Sequence, residues 1–169
     1  MYRGGHVGFA LLGCSPVLLV TSALGHRPLA VVGAVLAGGF ATLPDVDQHL
    51  PLVPHRGPTH TVWFALVVAW LGGEVGRAAA LVAGGLPPAW LGTFVASIAG
   101  LAVGTHLVAD ALTPMGVRPL APLVEGRVAL GLVRASNPVA NLLALGLGFG
   151  TAGLAIAAGP WVARALAGG

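Results

Sequence analysis

The chain contains no lysine, a single cysteine and only 8% charged residues. Soluble domains carry about 25% charge, and the mean hydropathy here is +0.91, so a soluble globular domain is excluded. Cys14 alone cannot form an internal disulfide; it lies within an apolar stretch and is expected to act as a small packing residue. With no thiolate cluster, any metal would have to be held by histidine and carboxylate. All the positive charge comes from eight arginines, which outweigh five acids to give a net charge of +3. In a soluble chain that balance would point to nucleic acid. Here the arginines are scattered near the ends of apolar stretches, where they serve as topological anchors, and no nucleic-acid partner is expected. No polar linker divides the chain and no fixed-period repeat is evident, which predicts one integral membrane domain over residues 1–169.

What is present is apolar. Five stretches stand out, at roughly 7–25, 29–43, 62–84, 89–112 and 139–166. About 20 such residues cross a bilayer as a helix. The second stretch is shorter, at about 15 residues, and needs tilt, re-entry or extension by its neighbours to span. None shows the strict alternation of a barrel strand. The expectation is an all-α, polytopic bundle of about four to five membrane helices joined by short loops. Arg3, the apolar run and Ala23-Leu24-Gly25 outline a signal peptide. The length of the run and Pro16 within it argue for a retained first helix.

If the N-terminus is cytoplasmic, Arg3, Arg56, Arg118, Arg127 and Arg134 fall inside, and Arg27 and Arg164 outside. That asymmetry predicts an inner (plasma) membrane protein with a cytoplasmic N-terminus. It also brings three separated regions to one end: His6, the 43–60 segment LPDVDQHLPLVPHRGPTH, and HLVAD at 106–110. Ionisable groups in or beside a bilayer are costly and usually functional. Histidine and aspartate are also ligands for a borderline or hard metal ion.

His106 and Asp110 stand at i,i+4 on one helix face. Asp45 and Asp47 follow Pro44; in an extended segment both would point the same way, and two close carboxylates call for a cation between them. His55 and His60 flank a Gly57-Pro58 turn, with Thr59 expected to cap the following helix. Arg56 adds a fork suited to phosphate or carboxylate. The expected metal ligands are drawn from His6, Asp45, Asp47, His55, His60, His106 and Asp110, more than one four-ligand site needs. They imply one or two divalent ions, zinc or manganese being favoured, or a division between ligands and bases. His49 is left open between ligand, proton shuttle and solvated residue, and His26 is expected at the opposite interface. Glu74 and Arg77 should pair at i,i+3. Gly100 with Gly104, and Gly146 with Gly150, should allow close helix packing. Thr113-Pro114-Met115-Gly116 reads as a helix-ending turn, Pro119–Pro122 as a short apolar flap, and Asn137 as the cap of the last helix.

The series His6, LPDVDQ, HRGPTH and HLVADALTPMGVRPLAP resembles a family of membrane-bound, metal-dependent hydrolases described as LexA-binding and inner-membrane-associated. The resemblance covers about residues 4–124 and rests on His6, Leu43, Pro44, Asp45, Asp47, His55, Arg56, Gly57, Thr59, His60, His106, Asp110, Thr113, Gly116 and Pro122, with Thr61 where serine is frequent. It implies a helical membrane domain and metal-dependent hydrolysis. The mechanism expected from these residues is attack by metal-activated water on an anionic, phosphoester or lipid-linked substrate at the cytoplasmic face. Asp45 or Asp47 would be the base, and Arg56 would stabilise the developing charge. A membrane lipid or lipid-linked small molecule is the expected partner. The alternatives are a non-catalytic metal-binding membrane protein, a metal-ion transporter, and a structural bundle with internal ion pairs.

Overall fold

The computed structural model describes residues 1–51 and 54–168. Among these residues five α-helices form: α1 (Arg3–Ala23), α2 (Arg27–Phe40), α3 (Val62–Ala83), α4 (Pro88–Ala111) and α5 (Pro138–Ala167). Each is long and apolar enough to cross a membrane when α2 is counted on through Arg27–His49. The short second stretch is thus extended by its neighbour, a 3-10 helix over Pro44–His49. Among the described residues there is no strand, only an isolated antiparallel bridge between Val117 and Val128. Three helices open on a proline in the first turn, at Pro28, Pro88 and Pro138. There the fixed φ favours a helix start and the missing N–H costs nothing. Asn137 caps α5 as expected, its side chain accepting from Ala140 N at 3.1 Å.

The packing is that of a lipid-solvated bundle. The core is built mainly from small residues, with Ala10, Cys14, Ala30, Ala37 and Ala102 sealed around Leu18, Phe94 and Ile98. Large aliphatic side chains such as Val35, Leu81, Val82, Leu142 and Leu154 face outward. Without a hydrophobic driving force between helices, close backbone approach and dispersion hold them together, which favours small residues at the contacts. α1 is central, meeting α5, α2 and α4, while α3 packs on α4.

The glycine expectation is corrected in register. Gly146, Gly150 and Gly104 have open space where a Cβ would sit. The α1–α5 crossing runs instead over Gly8 and Gly148, where a Cβ on either would collide with the backbone of the other helix. Residues 146 and 148 lie about 200° apart around a helix with 3.6 residues per turn, so Gly146 and Gly150 lie on a face turned away from α1. Gly100 does face α3, at Ala69. Glu74 and Arg77 pair on an exposed face of α3. Cys14 is buried, its thiol directed at Ile98 O.

This arrangement gathers the N-terminus of α1, the C-terminal extension of α2, the N-terminus of α3 and the C-terminus of α4 at one end. His26 lies at the other end, tilted against Trp90.

Candidate metal centre

Five of the converging side chains are almost fully buried: His6, Asp47, His60, His106 and Asp110. His106 comes from the last turn but one of α4. Its Nδ1 lies 2.7 Å from the carbonyl of Ala41, just beyond α2. A carbonyl only accepts, so Nδ1 carries the hydrogen and the neutral ring presents a lone pair at Nε2. His60 ends the 3-10 turn Pro58–His60. Its Nδ1 lies 3.0 Å from Thr59 Oγ1, whose own hydrogen goes to Asp47 Oδ2, and 3.2 Å from that carboxylate oxygen. Thr59 Oγ1 therefore accepts, which leaves Nε2 as a lone pair in the same way. These two Nε2 atoms face each other at 3.2 Å.

Two lone pairs at that distance repel unless a cation lies between them. The carboxylates complete the picture. Asp110 Oδ2 is 3.6 Å from His60 Nε2 and 3.6 Å from His106 Nε2. Asp45 Oδ1 is 3.7 Å from His60 Nε2 and 3.9 Å from His106 Nε2. The ring of His6 stacks on that of His106 with centroids 3.7 Å apart, and its Nε2 lies 3.5 Å from Asp110 Oδ1. Ligands about 2.0–2.2 Å from one tetrahedral ion stand roughly 3.3–3.6 Å apart. The donor set, its neutral Nε2 atoms and these separations fit a divalent ion. Groups able to hold one are His60–His106–Asp110, His6–Asp45–His106 and Asp45–His55–His60, each with its ligand atoms within 4.8 Å.

The two loop aspartates diverge. The expected extended segment is a 3-10 helix, because Pro44 pre-sets φ for a helical turn. At three residues per turn, positions i and i+2 point to different sides. Asp45, part-exposed, faces the Nε2 atoms while Gln48 Nε2 donates to its Oδ1 at 2.9 Å. Asp47 is buried on the other side of the turn. Its Oδ1 meets His55 Nδ1 at 2.9 Å. Its Oδ2 accepts from Arg56 N at 3.0 Å and Thr59 Oγ1 at 2.9 Å, besides facing His60. Thr59 therefore links Asp47 to His60 Nδ1, and the cap of α3 is Thr61, whose hydroxyl accepts from Phe64 N. Asp47→Ala is expected to weaken metal affinity about 10–100-fold, as loss of a histidine's orienting carboxylate does, with the fold kept. Competition against a chromogenic chelator measures it; unchanged affinity would show that Asp47 does not orient His60.

Arg56 ties the loop to the end of α4. Its φ is 62°, a left-handed backbone that non-glycine residues rarely adopt. From there NH2 donates to Asp110 Oδ1 at 2.8 Å. NH1 donates to Gly116 O at 2.8 Å and to Thr113 Oγ1 at 3.3 Å. Thr113 in turn donates to Asp110 O at 2.8 Å. Arg56 Nε is buried with no partner among the described residues, as is His6 Nδ1. The α-amino nitrogen of Met1 lies 2.9 Å from Asp110 Oδ1. His49 is exposed, outside the cluster. Asn141 ties the start of α1 to α5, accepting from Tyr2 N at 2.9 Å. The Ala41 and Gly116 carbonyls carried no signal in the sequence, since any residue offers a carbonyl; Gln48 sat inside the motif without a pattern to single it out.

The sequence matches the family described as YdjM inner membrane protein over residues 1–167. No curated protein and no solved structure matches the chain.

Proposed function

The chain belongs to the YdjM inner membrane protein family, and we propose that this multi-pass membrane protein is a metal-dependent hydrolase of anionic, lipid or lipid-linked substrates. The observation that carries the reading is the pair of Nε2 atoms of His60 and His106 facing each other at 3.2 Å, each ring held by an acceptor at Nδ1, with Asp45 and Asp110 beside them. The site would be held by His60, His106 and Asp110, with His6 and Asp45 adjoining and His55 at the rim. A divalent ion there, with zinc or manganese suiting these donors, supplies Lewis acidity and a water acidic enough to attack near neutral pH.

The remaining work falls to the chain's own side chains. Asp45 is the part-exposed carboxylate of the group; with Gln48 on Oδ1, its Oδ2 is the atom placed to take a proton. Asp47 takes the hydrogen of the Thr59 hydroxyl, whose oxygen then accepts from His60 Nδ1 and fixes that ring's tautomer and direction. Arg56 directs NH1 and NH2 at Asp110, Thr113 and Gly116, so it positions Asp110 rather than meeting the substrate through those nitrogens. We place this end on the cytoplasmic side, because Arg3, Arg56, Arg118, Arg127 and Arg134 belong to it. A substrate would then arrive laterally from the inner leaflet.

The test is elemental analysis of detergent-purified protein alongside hydrolysis of a phosphoester and lipid panel, wild type against Asp45→Asn. One or two ions per chain and turnover by the wild type are expected. Asp45→Asn should keep the ion at His60–His106–Asp110 and lose about 10²–10⁴ in rate, the usual worth of a general base. Metal without turnover on any substrate would favour a binding or transport role.

A further inference from the structure

Beyond the metal cluster, the segment joining α4 to α5 folds back on itself. Val117 N donates to Val128 O at 3.0 Å and Val128 N to Val117 O at 2.8 Å. The chain reaches this bridge through Gly116, at φ 62°, where a Cβ would strike Val128 O and Ala129. The next residues out from the bridge are Arg118 and Arg127. In an antiparallel pair such positions lie opposite each other on one side, and like charges placed so destabilise the pairing.

Both arginines line one cleft of about 350 Å³, together with His55, Arg56, Gly57 and Met115. Arg118 meets Glu125 at 3.3 Å, but both side chains are more than half exposed, so that pair is open to exchange. Arg127 has no carboxylate partner among the described residues; its NH2 rests on the carbonyls of Pro114 and Met115. Arg56 forms the wall toward Asp110. His55 belongs to both sides, lining the cleft while forming one group with Asp45 and His60. Two cations are thus set across from each other, with spare donors, at the edge of the metal cluster. Guanidinium groups converging from two positions suit the several oxygens of a phosphate. The same segment leaves Leu120, Leu123 and Val124 exposed, apolar surface expected to rest against lipid.

We propose that this cleft binds the phosphate group of an anionic membrane lipid and holds it beside the metal cluster. The proposal rests on the hydrolytic reading only for the chemical step after binding; binding itself is measurable without turnover. The probe is dihexanoyl phosphatidic acid, titrated onto the full chain in neutral detergent, with inorganic phosphate as a second arm. R118Q/R127Q should weaken lipid binding by at least about tenfold, since the charge-assisted bonds from both guanidinium groups are removed. R134Q, in the same segment but outside the cleft, should stay within about twofold of wild type if the cleft and not the general field of the segment attracts the lipid. All three proteins should carry equal metal. The proposal is overturned if R118Q/R127Q binds as wild type, if R134Q loses as much, or if inorganic phosphate binds as tightly as the lipid. His106→Gln separates the two readings: lipid binding that survives metal loss supports the cleft, and binding lost with the metal places the phosphate on the ion instead. Wild type that binds the lipid but hydrolyses nothing retires the hydrolytic reading and leaves the cleft standing.

Discussion

Replacing His60 and His106 together by alanine is expected to take bound metal from one or two ions per chain to none. Each ring contributes a lone pair that a fixed acceptor has already aimed, His60 through the Thr59 hydroxyl backed by Asp47 and His106 through the Ala41 carbonyl. Each group of side chains able to hold an ion includes at least one of these two rings, so the double variant breaks every one of them. Removing both also ends the lone-pair repulsion, so the apo fold should not suffer beyond the cavities created. The consequence is measurable as linkage. An ion present at a thousand times its dissociation constant stabilises the folded state by about 4 kcal/mol. Chelator should therefore lower the thermal midpoint of the wild type and leave that of the double variant unmoved. A double variant that keeps wild-type metal would end the assignment of these rings as ligands.

The second large effect concerns Arg56. Asp110 is about 1% exposed and Arg56 about 11%, so this is a buried ion pair. Breaking such a pair from one side costs about 3–5 kcal/mol where the charge is left uncompensated, and the lower end applies here because the Met1 α-amino group stays 2.9 Å from Asp110 Oδ1. Arg56→Ala in metal-depleted protein is expected to lower the thermal midpoint by about 10 °C, at roughly 2–4 °C per kcal/mol for a chain of this length. Added metal should recover part of it, since a cation on Asp110 replaces the lost charge. The backbone gives an internal control. At φ 62° a glycine is unstrained where alanine costs about 1 kcal/mol, so Arg56→Gly should be less damaging than Arg56→Ala. Arg56→Lys keeps the charge but not the fork that reaches Asp110, Thr113 and Gly116 together, and should fall between wild type and alanine. Equal stability of all four proteins would mean that Arg56 does not hold Asp110.

Five apolar stretches, four or five of them expected to span, their limits to within a few residues and the gathering of the chemistry at one end could be read from the chain alone. Length and hydropathy are local properties, and a bilayer imposes one length on every span. The membership of the cluster was legible for a similar reason: His6, Asp45, His60, His106 and Asp110 are ionisable in an apolar chain, and that cost marks them wherever they fold. What each does was not legible. Asp45 and Asp47 are two residues apart and chemically identical. Only the 3-10 turn after Pro44 sends one to the Nε2 atoms and the other to His55, Arg56, Thr59 and His60. Arg56 looked like a free anion donor until the α4 end supplied partners more than fifty residues away. Gly146 and Gly148 sit on a helix whose packing face is chosen by α1, not by its own composition. Sequence determined which residues cannot rest in lipid without a partner; tertiary structure decided the partners, because hydrogen-bond direction and helix rotation are set by contacts between segments far apart in the chain.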